Sequence, residues 1–537
     1  MLRRVFDRIS DANPKFNERL VNGLTKEELD KAPQVIDLLW SECVSTSFPD
    51  KLHYEDYSIC YPEEIMRILT SPNNKDGKLE MTRTDFVLVK YNLSFENEDG
   101  IRDPLPPVYI PLPFCDDLSL TTIRNVKHHI SNVVCDKVFS RVDKGLFVAF
   151  TRDRLTFERV ASSFKLNGSS VNTFVTYSNI HAFSKQQKAK AGANPALVTY
   201  LFAKYGMRET FKKFTNVKDD DFVVGTHEEL SSDDYPTDEW YIASAYKHRL
   251  AGFSDKSKVG TFDIEIAIRK EAYDKNKLME DFIAGFFYSI EYFPSKVKLD
   301  WVDKKSMWIS LLAEIIYQDT LTDSRKMSAV SNHIDSLDHY VDHMMIAKLQ
   351  SIGCYAEDIY ELFIYILQNI DELYITIDPA SMDEKRIATR EYVLLDVFKK
   401  INNFTYSVFK PSHRALDERA IRQKLATNIP RSTTLEVERH GEVSVVSFVG
   451  DNKMLKYATA MVSQVEATAT GKPKKTLTDP ASRFHPTIIG ICSHLNQTKP
   501  NPPGKGKLNP CVEIDEYNSL SYRKELKPIF EKIIKQI

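Results

Sequence analysis

The chain has 537 residues, with 72 Lys and Arg against 75 Asp and Glu, a formal net charge of −3. Hydrophobic residues make up 42% and charged residues 27%, a globular balance that excludes a disordered or collagen-like polymer and gives room for two to four domains. The seven Cys are widely spaced with no CxxC pair, which excludes a disulfide framework or a structural zinc site.

Free thiols of this kind fit a reducing compartment. The N-terminal stretch MLRRVFDRISDANPKF is charged throughout and lacks the apolar core of a signal peptide. No run approaches the ~18 apolar residues of a membrane span. A cytoplasmic protein with no membrane partner is therefore expected.

In chain order, residues 1–100 read as a mostly helical N-terminal region with loops. Thr25-Lys26-Glu27-Glu28 has the pattern of a capping box, in which the threonine accepts from the backbone three residues on and the glutamate reaches back. Residues 101–270 read as a β-rich domain. Pro104, Pro106, Pro107, Pro111 and Pro113 exclude a helix at its start. KVFSRVDKGLFVAF predicts two strands turning at Asp143-Lys144-Gly145. FKLNGSSVNTFVTY predicts a hairpin at Asn167-Gly168, since both residues tolerate positive φ. The acidic stretch from Asp219 reads as a solvated loop, and KVGTFDIEIAI (258–268) as a strand.

Residues 271–428 read as a helical domain, with helix-length segments at 306–318, 325–350, 355–372, 388–403 and 414–427. In the second, Val330, Ile334, Leu337, Val341 and Met344 form an apolar stripe at helical spacing. Residues 429–537 read as a small mixed domain. It has a hairpin turning at His440-Gly441, a helix over 452–465, and a loop rich in Pro, Gly and Lys. The fold class expected is α+β and multidomain: a β-rich hairpin domain, then a helical domain, then a small mixed C-terminal domain, with strands and helices segregated rather than alternating.

The charge is unevenly spread. From Thr468 to Pro510 the chain holds six Lys and one Arg against one acid, Asp479, a local balance of +6 within a chain of −3. Positive charge gathered in one tract is the footprint of a polyanion site. Lys472, Lys474, Lys475, Lys499, Lys505 and Lys507 are spread over a Gly/Pro loop that can reach several phosphates, each contact releasing counterions. Arg483 can grip a phosphate or a base edge with its planar fork, and Phe484 and His485 can stack on unpaired bases. GKPKKT and PPGKGKL do not match the phosphate-binding loop G-x-x-x-x-G-K-[ST], so nucleotide hydrolysis by such a loop is not expected.

Other constellations read as weaker. Asp263-Ile264-Glu265 places two carboxylates on one face of a strand, as a two-metal nuclease site begins, and His333 with Asp338 has the spacing of such a site's far end. An exposed strand face and a polar helix face account for the same residues. His339 and His343 lie four apart, a spacing metal sites use, although a solvated helix face is the preferred account. Arg124, Lys127, His128, His129, Arg141, Arg152 and Arg154 could give the β-rich region a second basic surface. No G-x-S-x-G occurs.

The functional expectation is a non-catalytic nucleic-acid-associated protein without a cofactor. It reads as an accessory subunit in replication or transcription whose partners are DNA or RNA and other protein subunits. Two alternatives are a structural protein of a virus particle that uses the tract as an inter-subunit arm, and a metal-dependent nuclease.

Overall fold

The computed structural model of the chain describes residues 17–21, 23–45, 48, 51–70, 84–116, 119–130, 132–150, 154–178, 180, 195–231, 234–245, 264–292, 297–317, 322–394, 397–398, 401, 418–426, 443–445, 461–464, 485–492, 505–509, 511–522, 528 and 532. Two compact units are present. One is built from Met1–Lys137 together with Asp378–Ile537, the other from Val138–Ile377 alone.

After one helical turn at Glu18–Val21, the first unit continues with helices α1 (Leu24–Asp30) and α2 (Ala32–Leu38), the latter running into a π-helical turn at Leu39–Val44. The capping box expected at Thr25–Glu28 does not form. The helix starts two residues earlier than that box would place it, at Leu24, with Gly23 as its cap at φ 104°. Thr25 is thus inside the helix, and its hydroxyl meets the Ile130 carbonyl (3.3 Å) and the Asn132 side-chain oxygen (3.0 Å). Glu28 is buried, 3.8 Å from Arg390.

Within the first hundred residues there is also more sheet than the helical reading anticipates. Strand β1 (Leu52–Ile59) is followed by helix α3 (Pro62–Leu69) and the long strand β2 (Phe86–Glu96). β2 pairs antiparallel with β1, with β3 (Arg102–Pro104) and with β4 (Val108–Pro113). Its Tyr91 is fully buried against the Trp40 ring, with centroids 6.1 Å apart. The hairpin β5 (Leu120–Ile123) to β6 (Val126–Ile130) turns at Arg124 and Asn125, both at positive φ. β7 (Asn132–Asp136) ends this part of the chain.

The second unit has a seven-stranded antiparallel sheet. β8 (Phe139–Val142) and β9 (Gly145–Ala149) form the first expected hairpin. β10 (Arg154–Leu166) and β11 (Ser169–Ser178) form the second, in unbroken register from Phe157 opposite Ser178 to Leu166 opposite Ser169. Asn167 and Gly168 turn it at φ 46° and 81°, the positive values a two-residue turn needs. Helices α4 (Leu197–Tyr205) and α5 (Met207–Thr215) follow, then β12 (Phe222–Thr226), the short helix α6 (His227–Leu230), β13 (Trp240–Ala245) and β14 (Ile264–Arg269). The strand order is β12-β14-β13-β10-β9-β8, with β11 on the other side of β10.

Helix α7 (Leu278–Tyr292) packs on β10, β11 and β13 and on α4. α8 (Lys305–Tyr317), α9 (Asp323–Leu337), α10 (His343–Gln350) and α11 (Ile359–Thr376) complete the helical layer. Its core is aromatic: Phe211 stacks on Phe222 with centroids 4.3 Å apart, and Phe202 lies 4.7 Å from Trp308. The long helix expected over 325–350 is two helices. Val330, Ile334 and Leu337 line the buried side of α9 as the stripe predicts. Asp342 then caps a new helix, accepting from the Met345 amide at 2.8 Å, and this resets the register so that Met345 rather than Met344 is buried.

Returning to the first unit, β15 (Lys385–Ile387) pairs with β7, a helix α12 spans Glu418–Ala426, and β16 (Val443–Val445) pairs with β6. Residues 461–464 of the segment expected to be helical form strand β17 (Met461–Gln464) instead, parallel to β7. Its edges are filled by two partners, which is why a strand prevails there over local helical pattern. The turn expected at His440-Gly441 and residues 452–460 lie outside the described residues. Helix α13 (Ile488–Ile491), β18 (Lys505–Lys507), β19 (Glu513–Ile514) and β20 (Leu520–Ser521) end the unit. The molecule is α+β and multidomain, rich in antiparallel sheet in its N-terminal half.

Candidate nucleic-acid interface

The basic tract is tied into the first unit at two places. β18 pairs antiparallel with β17 and is the terminal strand of the sheet β15-β7-β17-β18. Lys505 and Lys507 lie two residues apart on it, opposite Ser463 and Met461. The second tie is the apolar run Ile488-Ile489-Gly490-Ile491 in the middle of the tract. Ile491 is fully buried with Val134, Ile387 and Leu508. Thr487, also buried, accepts a hydrogen bond from the Met382 amide at 2.8 Å, and Cys492 bridges to Leu508. An isoleucine-rich run among lysines and prolines is what burial of this kind requires, since fully burying such a side chain is worth about 1.5–3 kcal/mol.

His485 stands at the start of that tie. Its Nδ1 lies 2.8 Å from the Thr487 hydroxyl and its Nε2 lies 3.6 Å from the Asp378 carboxylate. The ring is thus engaged with its own fold on both nitrogens. Lys472, Lys474, Lys475, Arg483, Phe484 and Lys499 lie outside the described residues. The anchoring run and the Thr487 hydrogen bond were missed from sequence, although three isoleucines in four residues were a visible signal.

Basic side chains on β15, at the opposite end of that sheet, are already neutralised. Lys385 is buried and pairs with Asp136, and it also donates to the Pro379 carbonyl at 2.7 Å. Arg386 makes a bidentate pair with Glu391 at 2.7 and 2.6 Å and donates to the Lys137 carbonyl. Proximity of the Glu391 carboxylate stabilises the guanidinium further, against the opposing effect of burial. Such charges serve the fold and leave none over for a ligand.

The second basic surface imagined from sequence loses its histidines. His128 and His129 are buried on β6, and burial alone pushes the His129 ring down to about 4, leaving it neutral at physiological pH. Lys127 lies 3.5 Å from Asp116.

Nor, among the described residues, do the suggested metal sites assemble. Asp263 lies outside the described residues. Glu265 is nearly buried on β14 and is met by His227 Nδ1 at 3.0 Å. His333 is buried with its ring edge against Tyr200, while Asp338 takes the Lys204 ammonium at 2.8 and 2.5 Å. His339 falls in the turn after α9 and His343 at the start of α10, so the two do not share a helix. Among the described residues no group of three or more His, Cys, Asp or Glu side chains is placed to hold a metal ion. No described helix is long and apolar enough to cross a membrane.

The chain is thus α+β and multidomain, with a basic tract pinned to a sheet of its first unit. Over residues 1–537 it matches the family described as non-virion RNA polymerase subunit, and it belongs to that family. It is accordingly a viral, transcription-related subunit, whose partners are other protein subunits and nucleic acid. No curated protein matches the chain.

Proposed function

We propose that this chain is a non-catalytic subunit of a viral RNA polymerase that contacts the phosphate backbone of DNA or RNA through residues 468–510. The observation that carries this reading is the concentration of charge, +6 in one tract of a chain whose total is −3. Lys472, Lys474, Lys475, Lys499, Lys505 and Lys507 supply phosphate contacts, and Arg483 a planar fork. Phe484 offers a ring for an unpaired base. His485, engaged by Thr487 and Asp378, orients the start of the anchored run. Pinning part of the tract by β18 and Ile491 lowers the entropy lost on binding a polyanion. Backbone contact of this kind gives affinity and position, not base specificity. Cys60, Cys115, Cys135, Cys354, Cys492 and Cys511 stand outside any disulfide, which accords with a cytoplasmic site of action. That the family is described as non-virion weighs against an arm of the virus particle.

The test is binding of labelled single- and double-stranded DNA and RNA across a salt series. Wild type is compared with a variant carrying Ala at Lys472, Lys474, Lys475, Arg483, Lys505 and Lys507. Wild-type affinity should fall steeply with salt, and the variant's slope should be shallower by about 0.7 to 0.9 for each phosphate it no longer neutralises. Absence of binding by the folded wild type at low salt would sink the reading.

A further inference from the structure

Among the described residues, the outer edge of β11 is largely unguarded. β10 is occupied on one side by β9 and β13 and on the other by β11, so β11 is an edge strand. Among the described residues, the Tyr177–Ala196 bridge is the single backbone pairing on that outer edge. Residues 169–176 therefore offer about 27 Å of strand, with both backbone groups of alternate residues facing outward.

Natural sheets blunt such edges with charge, proline, bulges or short length. β11 reads SSVNTFVTYS, with no charged residue, no proline and no glycine, and its register with β10 has no bulge. The two ends of the same sheet are protected by comparison. β8 has four residues and carries Arg141, while β12 follows three aspartates, Asp219–Asp221, and runs straight into α6.

The side chains along the edge alternate. Val171 and Val175 pack toward the core. On the other face Phe174 is 51% exposed, between exposed Asn172 and buried Thr176. Its ring is held by the Arg159 guanidinium, 4.9 Å from the centroid, and Arg159 is itself held by Asp371. Arg159 and Arg141 also flank the Tyr374 ring at 5.8 and 4.3 Å. Phe174 thus closes a fixed stack of guanidinium and ring. Asp371 answers Arg159, so the stack carries an excess of one positive charge, that of Arg141, too little to mark a polyanion site. Open main-chain donors and acceptors beside a rigid exposed ring suit an extended polypeptide.

We propose that β11 is a docking strand for another subunit of the polymerase, an extended segment of which adds to the sheet and lays an apolar side chain against Phe174. The occupant follows from two observations. The family is one of polymerase subunits, which work against other chains, and only an extended backbone satisfies the unpaired groups of an edge. The proposal is independent of the basic tract.

Hydrogen exchange over the 169–178 peptide tests it, in the isolated full-length chain and in the reconstituted polymerase. The outward-facing amides should exchange rapidly in the isolated chain and slow by about tenfold or more on assembly. Asn172→Lys and Phe174→Lys, both at exposed positions, should weaken assembly about tenfold or more while leaving salt-dependent nucleic-acid binding unchanged. Slow exchange already in the isolated chain would mean that the chain covers its own edge and would overturn the proposal. So would assembly without added protection, or lysine variants that assemble as wild type. A dimer of the isolated chain in sedimentation, abolished by Phe174→Lys, would assign the edge to a second copy and equally reject the partner subunit. Should the variants misfold, wild-type exchange alone decides.

Discussion

Asn167 and Ile242 exchange two hydrogen bonds: the Asn167 amide donates to the Ile242 carbonyl at 2.9 Å, and the Ile242 amide donates to the Asn167 side-chain oxygen at 2.7 Å. The asparagine side chain stands in for a backbone carbonyl and carries the β10–β13 ladder one step past the end of β10. Its Nδ2 adds a bond to the Trp240 carbonyl at 3.1 Å. Asn167→Gly keeps the positive φ that the turn needs and deletes only the side-chain bonds. It should cost about 1–2 kcal/mol in urea unfolding, the usual net worth of one or two hydrogen bonds. A cost near zero would mean that water replaces the side chain without loss.

Asp342 is a helix cap at a nearly buried site. Asp342→Ala should destabilise the chain by about 0.5–2 kcal/mol, and Asp342→Asn by less, because the amide oxygen can still accept from Met345. Thermal unfolding of the three proteins makes the comparison.

Two glycines in the second unit separate steric clash from backbone strain. A Cβ on Gly145 would stand 1.9 Å from the Phe157 carbonyl oxygen, across the β9–β10 pairing. Gly168 has open space around the same position but sits at φ +81°. Gly145→Ala must push the two strands apart and should cost about 3 kcal/mol or more, whereas Gly168→Ala should cost about 1 kcal/mol. Equal losses in denaturant titration would refute the distinction.

Asp281, on α7, has its carboxyl raised from 3.8 to about 7, chiefly by burial and then by the neighbouring Glu280, with Asp371 adding and Lys277 and Arg159 opposing. The folded chain thus keeps a proton that the unfolded chain releases between pH about 4 and 7. Stability should fall as pH rises through that window, at a slope approaching ~1.4 kcal/mol per unit, and the whole penalty is present above pH 7. Asp281→Asn removes it. The variant should be more stable than wild type at pH 8 and indistinguishable near pH 4, as read from denaturant midpoints at each pH.

The pattern T-x-x-E occurs at Thr25–Glu28 and at Thr226–Glu229, and only the second is a capping box. There the Glu229 amide donates to the Thr226 hydroxyl at 3.3 Å and the Thr226 amide donates to the Glu229 carboxylate at 2.8 Å. Thr25 is drawn instead to Ile130 and Asn132, which lie a hundred residues along the chain. This contrast marks the boundary of what could be read. The Asn167-Gly168 and Lys144-Gly145 hairpins were legible because a turn and its two strands are adjacent in sequence. The pairing of β17 with β7 was not, because a parallel neighbour is chosen by packing between distant segments. Likewise, composition alone located the basic tract, but the engagement of His485 depends on Asp378, and that of Thr487 on Met382. No local signal names either partner.

The order of segments along the chain also dictates an order of events during synthesis. Val138–Ile377 is contiguous, and its sheet can close as soon as it has emerged from the ribosome. β7 emerges before it, yet its partners β15 and β17 lie after residue 377. Val133 and Val134, fully buried in the finished protein, must therefore wait unpaired while an entire compact unit is made. For that interval the nascent chain carries an open apolar strand, and the speed of translation through the second unit sets how long it is at risk of pairing with the wrong partner.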